Sequence, residues 1–162
     1  MNEALFYILG ASAVLTTLLA ITRREVIHAV VYLVISFFSI ALIFYQMGAP
    51  LIAALEVIVY AGAIMVLFLF IIMMLEMGRS KEHEGPFFRT WAPAILLAMV
   101  ITVCACILIG SDASSAGLSG AVFISPRRFG QALFTGQALA VEAVSLMLLF
   151  ALVGALYLGR KD

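Results

Sequence analysis

The sequence predicts an all-α integral membrane protein, a bundle of five transmembrane helices forming a single membrane domain. Composition predicts the membrane. Hydrophobic residues make up 65% of the 162 positions and charged residues 11%, and the mean hydropathy is +1.22. A soluble domain of this size exposes too much surface to hide so many apolar side chains. Patterning predicts the helices. The apolar residues gather in five runs of spanning length, and none alternates with the two-residue period of a membrane strand. The third run, Leu51 to Leu75, organises the rest. It contains one ionisable carboxylate, Glu56, and three consecutive small residues, Ala61, Gly62 and Ala63.

The first run covers residues 4–22 and ends at Arg23 and Arg24. It is too long for the apolar core of a typical signal peptide and has no basic segment before it, so it reads as a spanning helix that stays. The second covers 26–46, and Met47-Gly48-Ala49-Pro50 forms a tight link to the third, 51–75. A polar loop from Glu76 to Trp91 follows. The fourth run covers 92–110, with Pro93 in its first turn, where proline is tolerated. Ser111 to Gly117 reads as a flexible loop. Phe129 to Gln137 mixes aromatics, Gly and Gln, and reads as an interfacial stretch or a short helix. The fifth run covers 138–158. No internal repeat supports an inverted-repeat transporter.

Charge sets the expected orientation. With five spans, Arg23, Arg24, Arg79, Lys81, Arg89, Arg160 and Lys161 share one side, and Arg127 and Arg128 lie on the other. The positive-inside rule puts the larger group in the cytoplasm and the N-terminus outside. The formal net charge is zero, which leaves no electrostatic case for nucleic acid.

The polar groups inside the runs are few. Glu56 lies roughly 8 Å into the bilayer from the outer side by helix rise. Tyr60 follows four residues later, on the same face. Buried carboxylates in membranes face other helices or water and often mark ion paths. Glu56 and Tyr60 therefore pass a proton or hold a water, or Glu56 is a protonated carboxyl that bonds a neighbouring helix. Glu142, near the start of the fifth run, sits at a similar depth, with a proton-handling and a purely structural reading both open. His28 anchors the start of the second helix or titrates there. Ser36 and Ser39 face another helix or bond back to the backbone. Cys104 and Cys106 read as small buried hydrophobes. There is no glycine-rich phosphate loop, cysteine cluster or trustworthy haem histidine pair. The small residues at 61–63 let another backbone approach closely and weaken the helix locally.

The stretch Ala54 to Phe70, ALEVIVYAGAIMVLFLF, resembles the third helix of subunit J of bacterial complex I, the counterpart of mitochondrial NADH dehydrogenase subunit 6. His28 to Val34 resembles the start of that family's second helix. Leu133-Phe134-Thr135 with Glu142 to Ala155 resembles its last. The chain departs from the family at Glu25-Val26, where Asn-Pro is common, and at Ala140-Val141, where Pro-Phe is common. The resemblance implies a non-redox subunit of a proton-pumping NADH:quinone oxidoreductase in the bacterial inner membrane. It implies a π-bulge near Tyr60, Ala61, Gly62 and Ala63 that gates a water path to glutamates on a neighbouring subunit; Glu56, whose position takes Gln in some family members, and Glu142 are proton-path candidates from their place in the apolar runs. Partners would be the other membrane subunits, especially those at the quinone site and a small glutamate-bearing neighbour. NADH, FMN, iron–sulfur clusters and quinone would belong to the complex, with none bound by this chain. The alternatives are a structural scaffold, or a subunit of a related cation/proton antiporter or membrane-bound hydrogenase.

Overall fold

The computed structural model describes residues 2–23, 25–76, 87–115 and 125–160. Every regular element among them is a helix. They are α1 (Asn2–Thr22), α2 (Val26–Gln46), α3 (Pro50–Leu55), a π segment (Glu56–Ile64), α4 (Met65–Glu76), α5 (Phe87–Ser115), α6 (Pro126–Gly136) and α7 (Ala138–Gly159). The run α3–π–α4 is one span, Pro50–Leu75, and among the described residues five spans are long and apolar enough to cross a membrane. The chain divides into two compact units, Met1–Phe123 and Ile124–Asp162.

In the first unit, α1 and α2 pack as an antiparallel pair joined by hydroxyls. Lipid is as apolar as leucine, so membrane helices associate through close packing and interhelical hydrogen bonds rather than hydrophobic burial. Ser12 Oγ lies 3.1 Å from Ser39 Oγ, and Thr17 Oγ1 lies 2.9 Å from Ser36 Oγ. Ser36 also donates to the Ala13 carbonyl at 3.1 Å, and Ser39 to that of Ile35 at 3.2 Å. The two serines thus do both things expected of them, facing another helix and bonding to backbone. Near the helix ends Arg23 Nη2 donates to the Tyr32 hydroxyl at 3.3 Å, and its guanidinium carbon stands 5.4 Å from the Tyr32 ring centroid.

α5 closes this layer. Leu5 and Leu9 of α1 meet Cys104 and Leu108, and Tyr32 and Ile35 of α2 meet Ala94 and Ile101. α5 is longer than the sequence suggests. It starts at Phe87, inside the expected polar loop, so Pro93 is interior rather than in the first turn. Membrane helices tolerate an interior proline because local adjustment and neighbouring groups satisfy the freed backbone carbonyl. At the other end the backbone stays helical through Ser115, where turn-forming residues suggest a loop. Local turn chemistry is a weak preference, and a helix already under way overrides it. The rest of the expected polar loop, 77–86, lies outside the described residues, as do Gly117 and Arg24.

The link from α2 to the third span follows from one glycine. Gly48 has φ 81°, the only positive φ among the described residues. Its N–H donates to the Tyr45 carbonyl, and the Ala49 N–H donates to that of Phe44, both at 3.0 Å. This is a Schellman ending with glycine in the left-handed position. Pro50 then opens α3 at its first turn, where its missing N–H is no loss. Replacing Gly48 by Ala should destabilise the purified subunit by about 1–2 kcal/mol, the penalty for a Cβ in this conformation. Gly48→Asn, which tolerates that region, should cost clearly less. Thermal denaturation of the three proteins in detergent measures both.

In the second unit α6 and α7 are separated by Gln137 alone, whose φ of −131° breaks the helix. α6 is the short helix expected near Phe129 to Gln137. None of α7's side chains is buried.

Candidate functional site

The π segment occupies the middle of the third span. Gly62 stands near the midpoint of the 26 residues from Pro50 to Leu75. Flanking residues Leu55 and Met65 have ordinary right-handed helical torsions, φ −64° ψ −38° and φ −69° ψ −37°. The span therefore stays helical on both sides and is locally wider between them, with i→i+5 rather than i→i+4 pairing, as in the Met65 N–H bond to the Tyr60 carbonyl. The sequence suggests a bulge near Tyr60 to Ala63. The structure has the wide segment there, and it starts earlier, at Glu56, so that all five candidates from Glu56 to Ala63 lie within it.

Gly62 has a specific reason to lack a side chain. A Cβ built on it would stand 3.1 Å from the carbonyl oxygen of Val57, five residues back. That oxygen belongs to the backbone of the same segment, so a side chain at 62 requires the segment's own backbone to give by a few tenths of an ångström. Of its neighbours, Ala61 is buried, whereas Gly62 and Ala63 are on the outer face of the chain. Tyr60 is half exposed, with its ring 5.5 Å from that of Phe37 on α2 at an interplanar angle of 52°. Glu56 is partly buried.

Beside the segment lies an apolar cavity of about 630 Å³. Val34 and Phe38 of α2, Ala61 of the π segment, Met65 of α4, and Ala98 and Thr102 of α5 are on its wall. The Thr102 hydroxyl is already committed to the Ala98 carbonyl at 2.8 Å. Interiors are ordinarily close-packed. Here the π segment reaches a half-open groove through the small side chain of Ala61 alone, with Met65, Val66 and Leu69 continuing that wall along α4.

Glu142 lies on α7 in the second unit and is exposed. His28 is buried at the start of α2, its ring 4.8 Å from that of Trp91 and its Nδ1 2.5 Å from Glu25 Oε2. That approach is an ion-pair distance without hydrogen-bond angles, and neither ring nitrogen has a hydrogen-bond partner among the described residues. The ring packing fits the helix-anchor reading. Cys104 is buried, but Cys106 is exposed. Residues two apart on a helix face different ways, so only one of the two can share the core.

Two participants carry no signal in the sequence. Phe37 is one apolar residue among many on α2, and only packing reveals it as the ring against Tyr60. Val57 matters through its carbonyl oxygen, which every residue has.

A spanning helix interrupted at its centre, next to Glu-x-x-x-Tyr-Ala-Gly-Ala, narrows the choice of family, and comparison with known proteins decides it. A family profile described as NADH-ubiquinone/plastoquinone oxidoreductase chain 6 matches residues 16–158. The chain belongs to that family. Chain 6 relatives match it almost end to end. NADH-quinone oxidoreductase subunit J of Pseudomonas aeruginosa is 40% identical over 163 residues, covering 99% of this chain and 98% of the relative. NADH-quinone oxidoreductase subunit J of Escherichia coli K12 is 43% identical over 164 residues, covering 99% and 88%. The resemblance drawn from the third helix is therefore a family relationship along the whole chain. In this chain 6 member the π segment and the apolar cavity fall within the residues matched by the profile, and of the α1–α2 hydroxyl contacts the Thr17–Ser36 pair does too.

Proposed function

We propose that this chain is a membrane subunit of a proton-pumping NADH:quinone oxidoreductase and that its π segment couples quinone reduction to proton movement. The observation that carries this reading is the position of the wide segment: at mid-span, beside a cavity, and around Glu56 and Tyr60. A π segment has a close alternative. Releasing one residue's worth of excess winding turns one half of the span relative to the other by roughly 100° and slides it about 1.5 Å. Such a step would alternately present and withdraw Tyr60 and the face that follows it. Water reaching the carboxylate of Glu56, or glutamates on a neighbouring subunit, would be admitted or cut off with it.

The redox cofactors of such a complex, NADH, FMN, iron–sulfur clusters and quinone, belong on other subunits in this reading. The chain has two cysteines, fewer than the four that a Cys-ligated cluster needs. Among the described residues no three His, Cys, Asp or Glu side chains gather into a ligand set. In this reading the subunit contributes no catalytic centre of its own to the complex. Its partners are the other membrane subunits, those near the quinone site and a small glutamate-bearing neighbour foremost. It resides in the bacterial inner membrane with the N-terminus outside, on the lysine and arginine count. Glu142, exposed on α7, is a second proton-path candidate.

Glu56→Gln and Tyr60→Phe separate a coupling subunit from a scaffold. In membranes carrying either variant, proton pumping should fall relative to NADH-driven quinone reduction while the complex stays assembled on a native gel. Loss of assembly, or no change in either activity, would favour the scaffold.

A further inference from the structure

We infer that α6 is an interfacial helix that binds phospholipid headgroups, lying on the membrane surface at the N-terminal end of the last span. On a helical wheel of roughly 100° per residue, Arg127, Gln131, Thr135 and Arg128 fall within one arc of about 100°. Phe129, Ala132, Leu133 and Phe134 fall outside it. Phe129 and Leu133 stand on the far side, whereas Phe134 and Ala132 flank the arc beside Arg127 and Arg128. A polar arc bearing cations opposite an aromatic and aliphatic pair is the pattern of a helix lying in the membrane–water boundary.

Three observations favour lipid. α6 runs into the spanning helix α7 after the single residue Gln137, which ties it to the membrane boundary. Its apolar face is only partly covered by its own unit, since Phe129 and Leu133 are half-buried and no α6 residue is fully buried. Both arginines are exposed, and among the described residues neither has an ion-pair partner. They also sit in the first turn of α6, after the Ser125 cap, where cations oppose the helix dipole. They therefore do not serve the stability of α6 itself. A guanidinium binds a phosphate diester through paired N–H donors, and phospholipid phosphates are the anions present at this depth. Gln131 and Thr135 continue the polar side. The Thr135 hydroxyl is turned to the Gln131 carbonyl at 2.6 Å, so the arginines are the headgroup ligands.

The test uses the assembled complex in phospholipid vesicles, with Cys104→Ala and Cys106→Ser as background. Spin labels are placed at Leu133→Cys and at Gln131→Cys. Phe129→Cys and Thr135→Cys replace either position if it blocks assembly. Collisions with molecular oxygen report lipid, and collisions with a water-soluble nickel chelate report water. The oxygen-to-nickel ratio should be several-fold higher at 133 than at 131. With Arg127→Gln and Arg128→Gln combined, the ratio at 133 should fall toward that at 131. Nickel access at both positions would mean a solvated helix and overturn the inference. Shielding of both positions from both reagents would mean that a protein subunit covers α6, and would overturn it equally. A ratio at 133 that ignores loss of the arginines would remove the headgroup role.

Discussion

Membranes carrying Gly62→Val are expected to hold assembled complex but to lose most of the proton pumping that accompanies quinone reduction. The reasoning starts from one distance. Any Cβ at position 62 stands 3.1 Å from the Val57 carbonyl oxygen while the segment keeps its present form. Valine adds two methyl groups and a stiff χ1 to that contact. The carbonyl is backbone, so the segment around Glu56 and Tyr60 must itself shift to relieve the contact, and the larger valine side chain asks for more of that shift than a single Cβ. Gly62 itself is on the outer face of the chain, and its substitution leaves the Tyr32, Ile35, Ala94 and Ile101 core untouched. Assembly should therefore survive a change that alters the π segment. Gly62→Ala should show the same direction with a smaller effect. NADH-driven quinone reduction and proton pumping, recorded side by side with a blot for assembled complex, make the measurement. Full pumping in assembled Gly62→Val complex would end the coupling role of this segment and leave it a packing surface.

The second large effect is expected at Ser36. Its side chain is almost fully buried between α1 and α2, with the Thr17 hydroxyl and the Ala13 carbonyl as partners. Ser36→Ala removes those bonds at nearly constant volume, and interhelical hydrogen bonds of this kind contribute about 0.6 kcal/mol on average and up to about 1.7. Ser36→Leu removes the same bonds and forces a larger side chain into a closed site, adding about 1–3 kcal/mol of overpacking. Leucine should thus separate the helix pair although it is the more lipid-soluble residue. The subunit should accumulate poorly in membranes, while Ser36→Ala accumulates near normal levels with a lower thermal midpoint. A more stable Ser36→Leu protein would show that hydrophobicity, rather than close hydroxyl-bonded contact, holds α1 to α2.

Much of this was legible before any coordinates. Five apolar runs become five spans because each backbone polar group in lipid must bond within its own helix. Gly48 followed by Pro50 marks the link that ends α2 and starts α3. The Ala-Gly-Ala cluster marks where the third span is weakest. The ends of α5 were less legible. Phe87 to Thr90 follow a charged stretch and include Arg89 and Thr90, and Ser111 to Ser115 are mostly polar and turn-forming. Helix propagation outweighs preferences of a few tenths of a kcal/mol per residue. The exposure of Cys106 depends on how α5 is rotated against α1 and α2, which its own apolar composition leaves open.

The sequence by itself determined the membrane class, the number of spans, the family and the residue that permits a wide turn. Those follow from composition, run length and the steric uniqueness of glycine, all of which are local. Only the tertiary structure decided that the wide segment begins at Glu56, that Phe37 meets Tyr60, and that a cavity between α2, α5 and the third span adjoins Ala61 and Met65. Those depend on how apolar helices rotate about their axes. In a lipid-facing bundle nearly every face is apolar, so hydrophobic periodicity cannot set that rotation. Packing and a few buried hydroxyls do.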